Sequence, residues 1–471
     1  MKFGTSGLRG LSVDLEGPAS GTYAAAFGRY LLEGGKARVG DSILLGRDFR
    51  DSSPQIARNC AVALSALGFK VVDCATVPTP ALALFGLETN SASLMVTGSH
   101  IPADRNGIKF YRPDGEIDKQ DENGISAFAV APSAAPEAPS ENPDTVDRSE
   151  ECRALFLKRN CSLLPKGALA GLRIGVYQHS TVARDLLVEV LGHYGADVVP
   201  LGRSETFIPV DTEAVSAEAV ALLKQWAHEH RLDAIVSADG DGDRPLLADE
   251  TGNPLRGDLL GLITAGFLGA KVVVTPVTSN SGIEGAGSFD VVRTRVGSPF
   301  VIAAMEEAVA NGNDLVMGFE ANGGLLTATD FSINGATVRA LPTRDCFLPM
   351  LAVLSLAAEK KQPLSHLAAA FRLPVAAADR LENFPTETSA RLMAHLREDD
   401  QNLAVFLAPI GEVAGKTDID GLRVALVGGR TIHFRPSGNA PEMRCYVEAE
   451  TDEAAEALLH AGLERIRQWA A

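Results

Sequence analysis

Five short stretches of this chain carry side chains capable of chemistry, each set among glycine or proline. ADGDGDR, from Ala238 to Arg244, spaces Asp239, Asp241 and Asp243 at alternate positions with glycine between them. Glycine lets a backbone curl until alternate carboxylates face one point. Three hard oxygen donors suit Mg²⁺, which takes few protein ligands and leaves places for phosphate oxygens. A calcium loop of the EF-hand kind fits poorly. Glu250 stands where its closing glutamate belongs, but Arg244 replaces the required glycine, Pro245 follows, and the preceding residues read as strand.

TGSHIPADRNGIKF places Ser99 beside His100. The hydrolase elbow G-x-S-x-G would need glycine where Thr97 and Ile101 stand. A serine of ordinary pKa needs an activating neighbour or serves as a phosphate carrier. Lys109 and Arg105, in the same stretch, can balance the charge of an ester; a serine that merely caps a helix is the bland alternative. RPSGNAPEMR offers the guanidinium forks of Arg435 and Arg444, the side chains of Ser437 and Asn439, and backbone donors around Gly438. Such a set can cradle a phosphate monoester, or be a proline-stiffened turn with solvated arginines. GTSGLRG brings small residues and Arg9 to a turn that can approach an anion. FEANGG supplies Glu320 and Asn322, groups of the kind that recognise sugar hydroxyls.

Repeated elements must position these loops. SILLGRDFRDSSP, LRIGVYQHST and KVVVTPVTSNSG each open with a β-rich run and a polar turn. Amphipathic helices follow (QIARNCAVALSALGF, VARDLLVEVLGHYG and FVIAAMEEAVAN), the third after an extra strand, FDVVRTRVG. Each segment then reaches a second apolar strand, SASLMV, LDAIVSA or DLVMG, and a chemistry-bearing loop comes directly after it. Strand–helix alternation predicts mixed α/β layers with largely parallel pairing, and its threefold recurrence predicts similar domains. Ligands collect beyond the carboxyl ends of such strands, so three equivalent loops can converge on one cleft. The expected architecture is α/β: three similar mixed α/β domains plus a smaller C-terminal α+β domain around a central cleft. The expected bounds are 1–146 with the serine loop, 147–254 with the aspartate loop, 255–365 with FEANGG, and 366–471 with RPSGNAPEMR. The proline-rich run APSAAPEAPSENPD, residues 131–144, reads as an exposed connector.

Composition bounds the function. The chain has 471 residues, enough for several domains, and a formal charge of −17 from 43 Lys+Arg against 60 Asp+Glu. With no basic run and only 6% aromatic residues, nucleic acid is not an expected partner. An acidic chain that binds phosphate needs a locally basic site. Six scattered cysteines without a CxxC pair argue against a disulfide framework or a structural zinc. No signal core or long apolar window appears, so the expectation is a cytoplasmic protein with no membrane partner. Oligomeric state is not legible.

Taken in order, these motifs resemble those of the α-D-phosphohexomutases, the superfamily of phosphoglucomutase, phosphomannomutase and phosphoglucosamine mutase. GTSGLRG is similar to the N-terminal signature, TGSHIP to the phosphoserine loop, DGDGDR to the metal loop, FEANGG to the sugar loop and RPSGNAPEMR to the C-terminal phosphate loop. The resemblance implies that Ser99 carries a phosphoryl group and completes a Mg²⁺ shell with Asp239, Asp241 and Asp243. It implies that Arg9, His100, Lys109 and Arg244 line the reaction centre, Lys109 moving a proton or neutralising charge. Glu320 and Asn322 would hold sugar hydroxyls; Arg435, Ser437, Gly438, Asn439 and Arg444 would hold the distal phosphate. The implied reaction interconverts hexose 6-phosphate and hexose 1-phosphate, of mannose and/or glucose, through a hexose 1,6-bisphosphate that also serves as activator. Phosphoglucosamine mutase is the nearest alternative; a Ser99–His100 hydrolase of phosphorylated sugars and a non-catalytic calcium- or sugar-binding protein are the others. Departures from the usual motifs are Gly98 and Ile101 in the serine loop, Asn322-Gly323 in the sugar loop, and Gly297-Ser298-Pro299 where many relatives have Gly-His.

Overall fold

Apolar runs such as Ile43–Leu44–Leu45 cannot remain at a surface, and here they become the middles of sheets. The computed structural model describes residues 2–3, 7–130, 144–437 and 441–470. The chain divides into two compact units, Met1–Val273 with Gly297–Ala368, and Val274–Val296 with Ala369–Ala471.

In the first unit, strand Ser42–Arg47 pairs in parallel with Lys70–Thr76 and with Ala92–Val96. Helices Ser53–Ala66 and Thr79–Thr89 pack on that strand. Each has a proline in its first turn, where the missing N–H costs nothing and the fixed φ suits a helix. Beyond Ala92–Val96 the sheet turns antiparallel, through Arg105–Arg112 and then Leu8–Leu11. The second sheet runs Asp197–Arg203, Arg173–His179, Ala234–Ala238, Pro245–Ala248, the first three parallel and the last antiparallel. A third group, Val316–Phe319, Leu325–Thr327 and Leu341–Asp345, is antiparallel. Three wholly buried strands, Ala92–Val96, Ala234–Ala238 and Val316–Phe319, are followed directly by Thr97, Asp239 and Glu320. The mixed α/β layers expected from the repeats are present, with helices Arg184–His193 and Ser298–Ala310 among those anticipated.

Several elements escaped the sequence reading, one of them at the edge of the first sheet. Strand Thr145–Asp147 returns to the edge of the first sheet and pairs in parallel with Val71–Asp73, and helix Ser149–Asn160 follows it. Three residues are too few to show a period-two pattern. Of the proline-rich connector, residues 131–143 lie outside the described residues.

The second unit carries a five-stranded antiparallel sheet in the order Val375–Leu381, Met443–Ala449, Thr431–Pro436, Leu422–Leu426, Val413–Thr417. Helix Asp452–Ala470 buries Ala455, Leu458, Gly462 and Ile466, with Leu463 beside them, at the three- and four-residue steps that line one helix face. This is the smaller α+β fold expected at the C-terminus.

Candidate active site

Ser99 sits just past the buried strand Ala92–Val96, itself 2% exposed, with φ of 54°. That left-handed conformation costs a non-glycine residue about 1–3 kcal/mol and persists only where the surroundings enforce it. Its hydroxyl donates to Asp239 Oδ2 across 2.5 Å and lies 3.2 Å from His100 Nδ1. Arg244 Nη1 donates to that same Nδ1 at 2.8 Å. Burial, with the charge of Arg244, pushes His100 down to about 3, so the ring is neutral at physiological pH. Its Nδ1 lone pair is therefore already taken, which leaves no imidazole base for Ser99.

The aspartate loop is a tight connection between antiparallel strands, with Ala238 opposite Pro245. Gly242, at φ of 68°, makes the reversal possible. Asp239 Oδ1 accepts from the N–H groups of Asp243 and Arg244, so one carboxylate both shapes the turn and faces Ser99. Ligand oxygens of Asp239, Asp241 and Asp243 lie within 4.8 Å of one another, and all three residues are buried. Asp241 Oδ1 and Asp243 Oδ1 are buried without a hydrogen-bond donor. Buried carboxylate oxygens are seldom left so, and hard oxygens in this number fit Mg²⁺. Thr79 steadies the loop from the first sheet, its hydroxyl donating to Asp241 Oδ2 and its N–H to Asp241 O.

Cations close the charge balance. Lys109 Nζ lies 2.6 Å from Asp241 Oδ2 and 2.5 Å from Asp243 Oδ2. Burial opposes its ammonium, but the two carboxylates outweigh that and hold its pKa above the ordinary value. Lys109 is thus charged and acts as a counter-ion. Burial and mutual repulsion among three carboxylates push Asp239 well up. Burial also opposes the Asp243 charge, yet Lys109, Arg344 and Arg244 pull it below the usual carboxylate range. Arg9, on strand Leu8–Leu11, is lowered to about 10 by burial and by Arg244 and Arg344, the mark of cations crowded where an anion belongs. Arg105, by contrast, is exposed: it begins the strand Arg105–Arg112, in which Lys109 also lies, so neither is a loop residue.

The third loop reaches the same cluster through a residue the sequence reading missed. Arg344, 2% exposed on strand Leu341–Asp345, donates from Nε to Glu320 Oε2 at 2.5 Å and holds Nη1 3.6 Å from Asp243 Oδ2. It ties the sugar-loop candidate to the aspartate loop. An arginine inside a strand, outside any motif, gives no sequence signal. Asn322 turns its Oδ1 to Gly324 N at 2.9 Å, and its carbonyl accepts from Thr212. Ser298, in the loop that departs from Gly-His, donates to Glu116 Oε2 at 3.0 Å.

In the second unit, Arg435 and Arg444 are register partners on adjacent strands, and Arg380 stands opposite Arg444 on the next. Like charges placed directly across a sheet repel unless an anion joins them. Asp420 lies 3.0 Å from Arg435 Nε, and Glu442 3.3 Å from Arg444 Nη2. Ser437 N donates to Glu442 O. Arg380, about half exposed, pairs with Glu382 and Glu442. Gly438 and Asn439, like residues 4–6 of GTSGLRG, lie outside the described residues.

Family models for phosphoglucomutase/phosphomannomutase match this chain in four parts: alpha/beta/alpha domain I over residues 1–133, domain II over 156–252, domain III over 257–373 and the C-terminal domain over 393–464. The chain belongs to the phosphoglucomutase/phosphomannomutase family. It is 58% identical over 463 residues to a phosphomannomutase of Sinorhizobium fredii, covering 98% of both chains. It is 40% identical to a phosphomannomutase of Salmonella muenchen, covering 99% of this chain and 96% of that one. A phosphoglucomutase/phosphomannomutase family protein of Burkholderia thailandensis shares the fold, with a TM-score of 0.75 at 20% identity over 99% of this chain and 97% of that one. Within this family frame, two loops and the strand Arg105–Arg112 of the first unit bring Ser99, His100, Lys109, Arg244 and the three aspartates into contact, with Glu320 joined through Arg344.

Proposed function

We propose that this chain interconverts hexose 6-phosphate and hexose 1-phosphate, with mannose the preferred hexose and glucose the second. The reading rests on one observation: the Ser99 hydroxyl, held in a strained conformation, donates to Asp239, one of three clustered buried aspartates whose charge is met by Lys109, Arg244 and Arg344. The two relatives at 58% and 40% identity are named phosphomannomutases, which favours mannose over glucosamine.

In this reading Ser99 is phosphorylated in the working enzyme. Asp239, Asp241, Asp243 and a phosphoryl oxygen on Ser99 would hold Mg²⁺, which when bound neutralises charge on the phosphoryl group. Phospho-Ser99 gives its phosphoryl group to a free hydroxyl of the bound hexose phosphate; the bond from phosphorus to the serine oxygen breaks, and the hydroxyl proton passes to that oxygen, leaving serine. The resulting 1,6-bisphosphate reorients and returns its other phosphoryl group to Ser99, releasing the isomer. Such transfer depends mostly on alignment and charge stabilisation. Lys109 and Arg244 neutralise, His100 takes the hydrogen bond of Arg244, and Arg9 meets the incoming anion. Glu320 and Asn322 hold sugar hydroxyls. Arg435, Ser437, Gly438, Asn439 and Arg444 grip the distal phosphate. The four-part division at 146, 254 and 365, a cytoplasmic location and the bisphosphate as activator belong to the same proposal. Among the described residues no helix is long and apolar enough to cross a membrane.

Steady-state assay of mannose, glucose and glucosamine 1-phosphates, each with Mg²⁺ and glucose 1,6-bisphosphate, tests it. Isomerisation with kcat/KM highest for mannose 1-phosphate is expected, together with a phosphate adduct in the intact mass that Ser99→Ala removes. Net release of inorganic phosphate without isomerisation would favour a hydrolase, and binding without turnover a non-catalytic protein.

A further inference from the structure

SILLGRDFRDSSP contains a polar turn to which the proposed chemistry gives no task. In the fold it lies under the serine loop. Arg50, 2% exposed, donates to three main-chain carbonyls of that loop and to the first of the strand after it: Pro102 O and Arg105 O from Nη1, both at 2.8 Å, and Ser99 O at 3.0 Å and Ile101 O at 2.6 Å from Nη2. Its Nε faces Asp48 Oδ2 at 3.3 Å, and its guanidinium lies over the Phe207 ring, 4.0 Å from the centroid. Asp48, 1% exposed, accepts at Oδ2 from the Thr97 hydroxyl at 2.7 Å, and the Ser99 N–H donates to that hydroxyl oxygen at 2.8 Å. Ser53 holds the other carboxylate oxygen at 2.6 Å.

Thus both peptide groups of Ser99 are gripped, the carbonyl by Arg50 directly and the N–H by Asp48 through Thr97. Residues 99–105 make few ladder bonds of their own, and a planar fork with five donors gathers carbonyls that lysine's point charge cannot. Gly98 belongs to the same device: a Cβ there would sit 2.6 Å from Arg50 Cζ, so the guanidinium would have to shift. We propose that Asp48 and Arg50 form a clasp that holds Ser99 in its left-handed conformation and so aims its side chain at Asp239. They are positioning residues for phosphoryl transfer that act through the main chain and touch no substrate.

The proposal rests on Ser99 carrying the phosphoryl group, and its test separates the two. A misaimed phosphoserine transfers slowly to sugar and loses ground to water, which attacks phosphorus, breaks the bond to the serine oxygen and leaves serine plus inorganic phosphate. Arg50→Lys and Thr97→Val are compared with wild type and Ser99→Ala, with circular dichroism and urea midpoint reporting folding. The readouts are kcat, KM for mannose 1-phosphate, and inorganic phosphate released per hexose isomerised. Arg50→Lys should lower kcat about 100-fold, change KM less than about threefold and raise the phosphate ratio about tenfold. Thr97→Val, nearly isosteric, should lower kcat about tenfold with the same signature, and it decides the matter alone if Arg50→Lys does not fold. A folded variant with an unchanged phosphate ratio overturns the clasp, whatever its kcat. Wild-type protein that neither isomerises nor carries phosphate on Ser99 removes the proposed function, and the clasp with it.

Discussion

Ser99 and Asp239 are 140 positions apart in the chain, yet the serine hydroxyl donates to the Asp239 carboxylate across 2.5 Å. The contact joins the ends of two buried strands in two different sheets, Ala92–Val96 and Ala234–Ala238. Asp239 is also the residue whose second oxygen shapes the aspartate turn.

Asp239→Asn should therefore injure metal binding and transfer together. Mg²⁺ affinity, read by calorimetry, is expected to fall at least about tenfold, and kcat at least about 100-fold. A variant that binds Mg²⁺ as wild type does would remove Asp239 from the ligand set.

Lys109→Met leaves Asp241 and Asp243 buried without their shared ammonium. Breaking a buried pair from one side costs about 3–5 kcal/mol. Urea unfolding should show a loss of that order without metal. Mg²⁺ should restore more stability to the variant than it adds to wild type, because the ion supplies the missing charge.

Buried histidines set an acid limit. Burial lowers His179 to about 4, and its Nε2 faces Ala238 O at 2.9 Å. Below about 6.5 the unfolded chain takes up a proton that the native ring refuses, so stability falls with pH until the ring titrates near 4. By pH 5 the loss from this residue is about 2 kcal/mol. His179→Gln, which keeps a donor for Ala238, should flatten the fall between pH 7 and pH 5 in urea titrations. An equal fall in both proteins would count against it.

Arg344 holds Glu320, and the pair should behave as one unit. Arg344→Gln is expected to raise KM for mannose 1-phosphate about tenfold, and Glu320→Gln by a similar factor. The double variant should lose little more than either single, as contacting residues do. Additive losses would show that they act separately.

Much of the site was legible because its chemistry is local in the chain. Alternating aspartates with intervening glycines mark a loop whose carboxylates can converge, and buried apolar runs before each motif declare strands that end there. The contacts of Arg344 with Glu320 and of Arg50 and Asp48 with the serine loop were not legible. An arginine inside a strand looks like any half-buried cation until its partners are known, and those partners lie on other strands or loops. Strand Thr145–Asp147 was hidden for a related reason: its pairing with Val71–Asp73, and no periodicity of its own, makes it a strand.

By itself the sequence determined the layered α/β class, the order of the loops and the residue types available for phosphoryl chemistry, since these follow from periodicity, turn residues and charge read along one dimension. Tertiary structure alone decided which charges meet. It set Lys109 against two aspartates, tied His100 Nδ1 to Arg244 and so removed a serine–histidine couple, and placed Arg50 under Ser99. Interactions of this kind depend on distance and burial in three dimensions, and at these sequence separations neither is encoded in spacing.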